Sequence, residues 1–178
     1  VVHDICSAVH PMALASPFLR ALDLAARGVE LRVPEVSYAH PLDGGRAGLA
    51  YLDLARTVES LGRDGAAYDL LMRPLAEHAS RVAEFTGSTL LRVPRHPVTV
   101  LNFGLRAIAQ GGPWWNAPFH EQTAPAMITG VAAHTILHQP SLAAAGAGLA
   151  LAAYGHARGW PIPRGGSQAI IDAMVDDL

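Results

Sequence analysis

Apolar and polar positions alternate with a period of two over Val29-Glu30-Leu31-Arg32-Val33, the pattern of a half-buried strand. Pro34 interrupts the run, and Val36 to His40 resumes an extended pattern. Asp43-Gly44-Gly45 is a turn signal, so Ala47 to Leu52 is expected to return antiparallel to the preceding segment as a hairpin. The first third of the chain therefore reads as extended segments joined by turns. At Asp53 the period becomes helical. Asp53 carries an N-capping side chain, Leu54, Thr57, Val58 and Leu61 share one face, and Gly62 stands at the stop position. A second helical stretch starts near Asp64, with Leu71, Leu75, Val82 and Phe85 at helical spacing. Pro74 must kink it or begin a new helix. Residues 87–94 form a connection. Pro97 fits the first turn of a helix reaching about Ala109, with Leu101, Leu105 and Ile108 expected inward.

Residues 111–118 read as a loop. Thr123 is placed as the cap of a helix running to about Leu137, with Pro125 in its first turn, and Gln139-Pro140 breaks it. Ser141 caps the next helix, Leu142 to about Ala157. Residues 160–166 are irregular or extended, and Ser167 is placed as the cap of a last helix over 168–178. The expected class is α+β, a small, largely antiparallel sheet from the first third with five or six helices packed on it. Between Arg106 and Arg158 the only Asp, Glu, Lys or Arg is Glu121. Two successive helices apolar on nearly every side belong inside something larger, and Ala144, Gly148 and Ala152 would admit a close backbone. The expectation is that a 178-residue chain cannot cover both helices and that a partner layer is missing.

Composition narrows the function classes. The chain is 51% hydrophobic and 16% charged, which excludes a disordered chain. A formal charge of -2 and a pI near 6.5 leave no electrostatic footprint for nucleic acid. All 13 basic residues are arginine. The single cysteine, Cys6, forms no internal disulfide and no Cys-x-x-Cys zinc pattern. No signal peptide is visible at the N-terminus, and the apolar run Leu142 to Tyr154 is too short to span a bilayer. A cytoplasmic protein is expected, with peripheral membrane contact or homo-oligomerisation also compatible.

His134 and His138 lie four apart on a predicted helix face, as zinc ligands can, but lack a glutamate base and a third ligand. No metal is expected. Gly165-Gly166-Ser167-Gln168 is not a nucleophile elbow, and there is no Gly-x-Ser-x-Gly for a Ser/His/Asp hydrolase. Trp114-Trp115 either lines an apolar channel or touches a membrane, but more commonly such a pair anchors a loop by burying its rings. Gly165-Gly166 before a serine brings backbone N–H groups to a ligand, or is an ordinary turn that starts a helix.

Several segments carry a resemblance. His3-Asp4-Ile5-Cys6-Ser7-Ala8-Val9-His10-Pro11 and the stretch from Gly155 through Trp160-Pro161-Ile162-Pro163-Arg164-Gly165-Gly166-Ser167 to Ile170 are similar to segments of phytoene dehydrogenase-like flavoproteins. Ser16-Pro17-Phe18, Ala39-His40-Pro41-Leu42 and Pro94-Arg95-His96-Pro97 resemble a bacterial branch of the same family, in the same order along the chain. The resemblance implies an FAD-dependent oxidoreductase that transfers hydride from a large apolar, isoprenoid or polyene-like substrate. It implies that residues 1–178 are the inserted substrate-binding domain of a two-domain flavoprotein. Residues 1–10 and 160–178 would then be its junctions to a missing FAD-binding domain. The glycine fingerprint of a dinucleotide-binding strand–turn–helix does not occur here, so this chain alone is not expected to hold FAD or to be active.

By resemblance, Asp4, Ser7, Gly165, Gly166 and Ser167 border the cofactor. Where many relatives read Asp-x-Gly, this chain reads Asp4-Ile5-Cys6, a departure beside the flavin. No residue stands out as a general base, so no catalytic residue is named. The chemistry would belong largely to the cofactor, with the charge-poor stretch Ala126 to Tyr154 expected to wall the substrate from water. Both junctions should emerge on one face, which would expose apolar area and self-associate. Two other readings stay open, a protein-interaction module with exposed apolar helices and an amine-oxidase-like flavoprotein. The second would want a lysine near the flavin, and the chain has none.

Overall fold

The computed structural model describes residues 4, 5, 7–89 and 93–176. Two short helices open it, α1 (Pro11–Ala15) and α2 (Pro17–Leu22), each with proline in its first turn. Extended structure was expected there. Proline at the first helical position costs no hydrogen bond and presets φ, and the two one-turn helices are too short for a 3.6-residue period to show.

The hairpin is as expected. Strand β2 (Val36–Leu42) pairs antiparallel with β3 (Arg46–Tyr51), Tyr38 opposite Ala50 and Leu42 opposite Arg46. The strand expected over 29–33 shrinks to β1 (Leu31–Arg32), which pairs with β4 (Ile162–Pro163) from the far end of the chain. The β structure is thus two antiparallel ribbons, one of them closed only by long-range pairing.

Seven longer helices follow the hairpin: α3 (Leu54–Ser60), α4 (Gly65–Glu77), α5 (Ala79–Thr86), α6 (Pro97–Gly111), α7 (Thr123–Ala132), α8 (Leu142–Ala157) and α9 (Gln168–Val175). With α1 and α2 the described residues hold nine helices, more than five or six, but the α+β class stands. Asp53 caps α3 by accepting from Ala55 N at 2.9 Å, and Ser141 caps α8 by accepting from Ala144 N at 3.4 Å. Thr123 is instead the first residue of α7, after Gln122 at the cap position. Helix α4 runs through Pro74, and the break falls at His78, whose ring donates to Pro74 O at 3.1 Å.

Most of the layer expected to be missing over the apolar helices is supplied by the chain itself, and only the N-terminal part of α8 at Leu142, Ala143 and Gly146 stays open beside α6. Helix α8 is the centre of the chain's own core, packed by α1, α4, α5, α6, α7 and the hairpin. Ala144, Leu149, Ala152, Ala153 and Tyr154 are all buried. A Cβ on Gly148 would meet Ala132 Cα at 2.9 Å, so the close backbone approach read from the small residues is made by α7. Tyr68, Met72, Leu75, Met127 and Leu149 complete this core, each contributing about 1.5–3 kcal/mol by burial. A smaller core joins Ala13, Leu24 and Val29 to Ile170 and Ala173, tying the two ends of the chain together.

Helix α6 has the right period and the opposite orientation. Leu101, Leu105 and Ile108 face solvent, while Thr99, Phe103, Ala107 and Gln110 are buried. Phe103 and Ala107 join the main core, and Arg106 ties the neighbouring flank to α4. Its guanidinium donates to Leu70 O at 2.9 Å and Leu71 O at 3.1 Å.

Candidate functional site

Residues from both ends line one cleft of about 700 Å³, with Asp4, Ser7, His10, Gly165, Gly166 and Ser167 among its walls. The ribbon β1–β4 brings the C-terminal segment back beside the N-terminus, and His10 N donates to Pro161 O at 2.9 Å. From there, Gly165 and Gly166 turn the chain at φ 87° and 102°, in a region costly for any residue with a Cβ. The turn aims the start of α9 at residues 4–10.

Ser167 closes the junction. Its backbone N–H donates to Asp4 Oδ1 at 2.8 Å, a carboxylate at a helix N-terminus, where the dipole favours negative charge. Its hydroxyl donates to Ser7 O at 2.6 Å. That uses its single proton, so His10 Nε2, also 2.6 Å from Ser167 Oγ, must be the donor in that contact. Ser167 therefore stands at the N-cap position of α9, where it was expected, but its side chain makes no capping bond. It is a clamp between segments 160 positions apart. The donor expected to meet a cofactor is already held by Asp4. Cys6 lies outside the described residues.

Among the described residues, Ser167 is not set up as a nucleophile. A serine hydroxyl donating to a carbonyl, beside an imidazole that donates to it, is the reverse of a Ser–His dyad, in which the imidazole accepts. The remaining walls include Val9, Met12, Leu19, Ile170 and Ile171, an apolar lining suited to a flat or apolar guest. The stretch 126–154, expected to wall the substrate, does not line this cleft; its residues 142–150 line an apolar groove against α6 instead.

The other candidate residues are explained by packing. His134 lies in a 3-10 turn after α7, and His138 follows Ile136, whose φ is 54°, so the two do not share a helix face. His134 Nδ1 donates to Val131 O at 3.0 Å, and its ring stands edge-on to Trp160 at 5.6 Å. No three His, Cys, Asp or Glu side chains gather as a metal site among the described residues. Of the tryptophan pair, Trp115 is half-buried but Trp114 is 80% exposed, so only one ring anchors the loop. No helix among the described residues is long and apolar enough to cross a membrane.

One buried polar network escaped the sequence. His156 Nδ1 donates to Tyr51 O at 2.8 Å, which leaves Nε2 to accept from Tyr68 OH at 2.8 Å. Tyr38 OH lies 3.5 Å from Tyr68 OH. Burial lowers the His156 pKa and pushes Tyr38 up to about 12 and Tyr68 well above its ordinary range. The network stays neutral, reaches no cleft and joins α4 and α8 to the hairpin. Its only sequence signal was a histidine inside an otherwise apolar helix.

A pH dependence follows from His156. Its pKa in the fold lies below the ordinary 6.5, so the unfolded chain takes up the proton first. The contribution to stability is complete above that value and falls as pH drops through it toward the lower folded pKa. Within this window the loss is at most about 1.4 kcal/mol per pH unit. Thermal melts from neutral to mildly acidic pH should show this slope, and it should be shallower in His156→Gln, which keeps one donor and one acceptor. An unchanged slope would mean that His156 does not drive it.

Compared with family models, curated proteins and solved structures, the chain finds no match.

Proposed function

We propose that this chain is the substrate-binding part of a flavin-dependent oxidoreductase of the phytoene dehydrogenase-like group, acting on a large apolar substrate. The observation that supports it most is the meeting of the two resembling end segments, 4–10 and 161–167, at one apolar-walled cleft. Junctions placed side by side in this way would let the chain enter and leave an adjoining FAD-binding domain at one place, an arrangement that self-contained domains also adopt.

FAD, when bound, would accept the hydride from the substrate carbon. The residues of this chain fit one wall of such a site. Gly165 and Gly166 allow close backbone approach, Val9, Met12, Ile170 and Ile171 would keep water from the reacting carbon, and Asp4, Ser7 and Ser167 would hold the junction rigid. The grip on adenine and pyrophosphate needs a glycine-rich strand–turn–helix, which would come from the adjoining FAD-binding domain. A partial site lacks those anchoring contacts and still bears the entropic cost of holding the ligand.

The expected result is that the 178-residue chain fails to bind FAD at micromolar concentration when flavin fluorescence is followed. A longer protein that includes the FAD-binding domain should bind one equivalent. Tight binding by the chain alone would contradict its role as a severed substrate domain. A longer protein without flavin would contradict the family reading and favour an interaction module, which the solvent-facing apolar side of α6 would suit.

A further inference from the structure

Helix α6 carries two complementary features side by side. Val98, Leu101, Leu105 and Ile108 are between 58% and 78% exposed. Their spacing of three, four and three residues is the seam repeat of paired helices. Next to this row, a groove of about 590 Å³ runs between α6 and α8. Its floor includes Gly104 and Gly146, and a Cβ built on either would meet no atom within 4 Å. A row of knobs and an apolar hollow roomy enough for several leucine side chains therefore lie side by side.

We propose that this face binds a second copy of the chain, α6 against α6 about a two-fold axis, with the leucines of each copy seated over the glycine groove of the other. A two-fold interface must be self-complementary, and this face supplies both halves of the fit. The residues of α6 flanking the row, Asn102, Gly104 and Ala109, carry no charge, and Arg81, Glu84, Arg95 and His96 of neighbouring elements gather only at its Val98 end, so the stretch from Leu101 to Ile108 meets its copy without like-charge repulsion. The one charged side chain of α6, Arg106, is turned inward onto Leu70 O and Leu71 O. That argues against a lipid surface, because helices lying on membranes present basic residues beside the apolar face. Pairing the four exposed side chains and the groove walls would bury on the order of 1,000 Å² in all, the lower bound for a specific interface. The proposal does not depend on the flavoprotein reading.

The test is sedimentation equilibrium of the chain over a micromolar concentration range. The wild type should weigh twice the chain mass. Leu105→Glu should raise the dimer dissociation constant more than ~100-fold by burying a charge without a partner, with its circular dichroism unchanged. Gly104→Leu should also dissociate the dimer by filling the groove, while melting at an equal or higher temperature, since leucine is the better helix former. Ile171→Glu, at the rim of the terminal cleft, should leave the dimer intact. A monomeric wild type, or a dimer that survives both α6 substitutions, overturns the proposal. So does dissociation by Ile171→Glu alone, which would place self-association at the cleft. A monomer that binds neutral phosphatidylcholine vesicles through Leu105 overturns it in favour of a lipid surface.

Discussion

Asp64→Ala should lower the stability of the chain by about 3–5 kcal/mol, the sum of two hydrogen bonds to a buried charged acceptor. Asp64 is 1% exposed and precedes α4. One carboxylate oxygen accepts from His120 N at 2.8 Å and the other from Glu121 N at 2.9 Å. The side chain thereby fixes the end of the connection between α6 and α7, 56 residues away. Removing it orphans two part-buried backbone donors and frees the loop that carries Trp114 and Trp115. Asp64→Asn should cost less, about 2–3 kcal/mol, because the amide oxygen keeps one acceptor while its NH₂ faces a donor. Urea unfolding measures both, and a fall in melting temperature of about 10 °C is expected for Asp64→Ala in a chain of this size. Limited proteolysis should cut the Ala variant first between residues 112 and 122. A variant as stable as the wild type would show that water replaces the carboxylate at no cost.

Arg106→Ala should cost about 2 kcal/mol, and Pro74→Ala should recover about half of that loss. Proline at position 74 has no N–H, so the carbonyl four residues earlier, Leu70 O, has no partner within α4. Arg106 supplies it, donating to Leu70 O and Leu71 O and holding Asn102 Oδ1 at 2.6 Å. Burial lowers the Arg106 pKa, yet the carbonyls hold the charged head in place. Pro74→Ala gives Leu70 O a backbone donor, so the arginine should matter less in that background. A double-mutant cycle by denaturant unfolding should give a coupling of about 1 kcal/mol between positions 74 and 106. Strictly additive effects would mean that the guanidinium contributes by packing on α4, not by completing its hydrogen bonds.

Local chemistry was legible wherever one residue decides one element. Asp53 and Ser141 as caps, Pro97 as a helix start and Asp43-Gly44-Gly45 as the hairpin turn are each settled by neighbours within four positions. The convergence of Asp4, Ser7 and Gly165 to Ser167 was anticipated as well, though on resemblance, not on any pattern in the residues. What Ser167 does there was not legible, because its partners stand 160 positions away and a serine before a helix looks like a cap.

The same limit explains the larger corrections. Periodicity fixes which residues of a helix share a face, but not which way that face turns. On α6 the spacing of Leu101, Leu105 and Ile108 was right. Phe103 and Ala107 take the buried side, Arg106 reaches the Leu70 carbonyl that Pro74, in a different helix, leaves without an N–H partner, and the leucines stay outside. On α8 an apolar surface on every side looked like a lack of partners, whereas neighbouring elements of the same chain cover all of it but the strip at Leu142, Ala143 and Gly146. By itself, then, the sequence determined the α+β class, the hairpin and the caps and starts of α3, α6 and α8, which short-range sterics and hydrogen bonding set. Tertiary structure alone decided which apolar faces are buried, where β1 finds its partner, and that two distant termini close one cleft. Those outcomes depend on competition among contacts far apart in sequence, which no local pattern records.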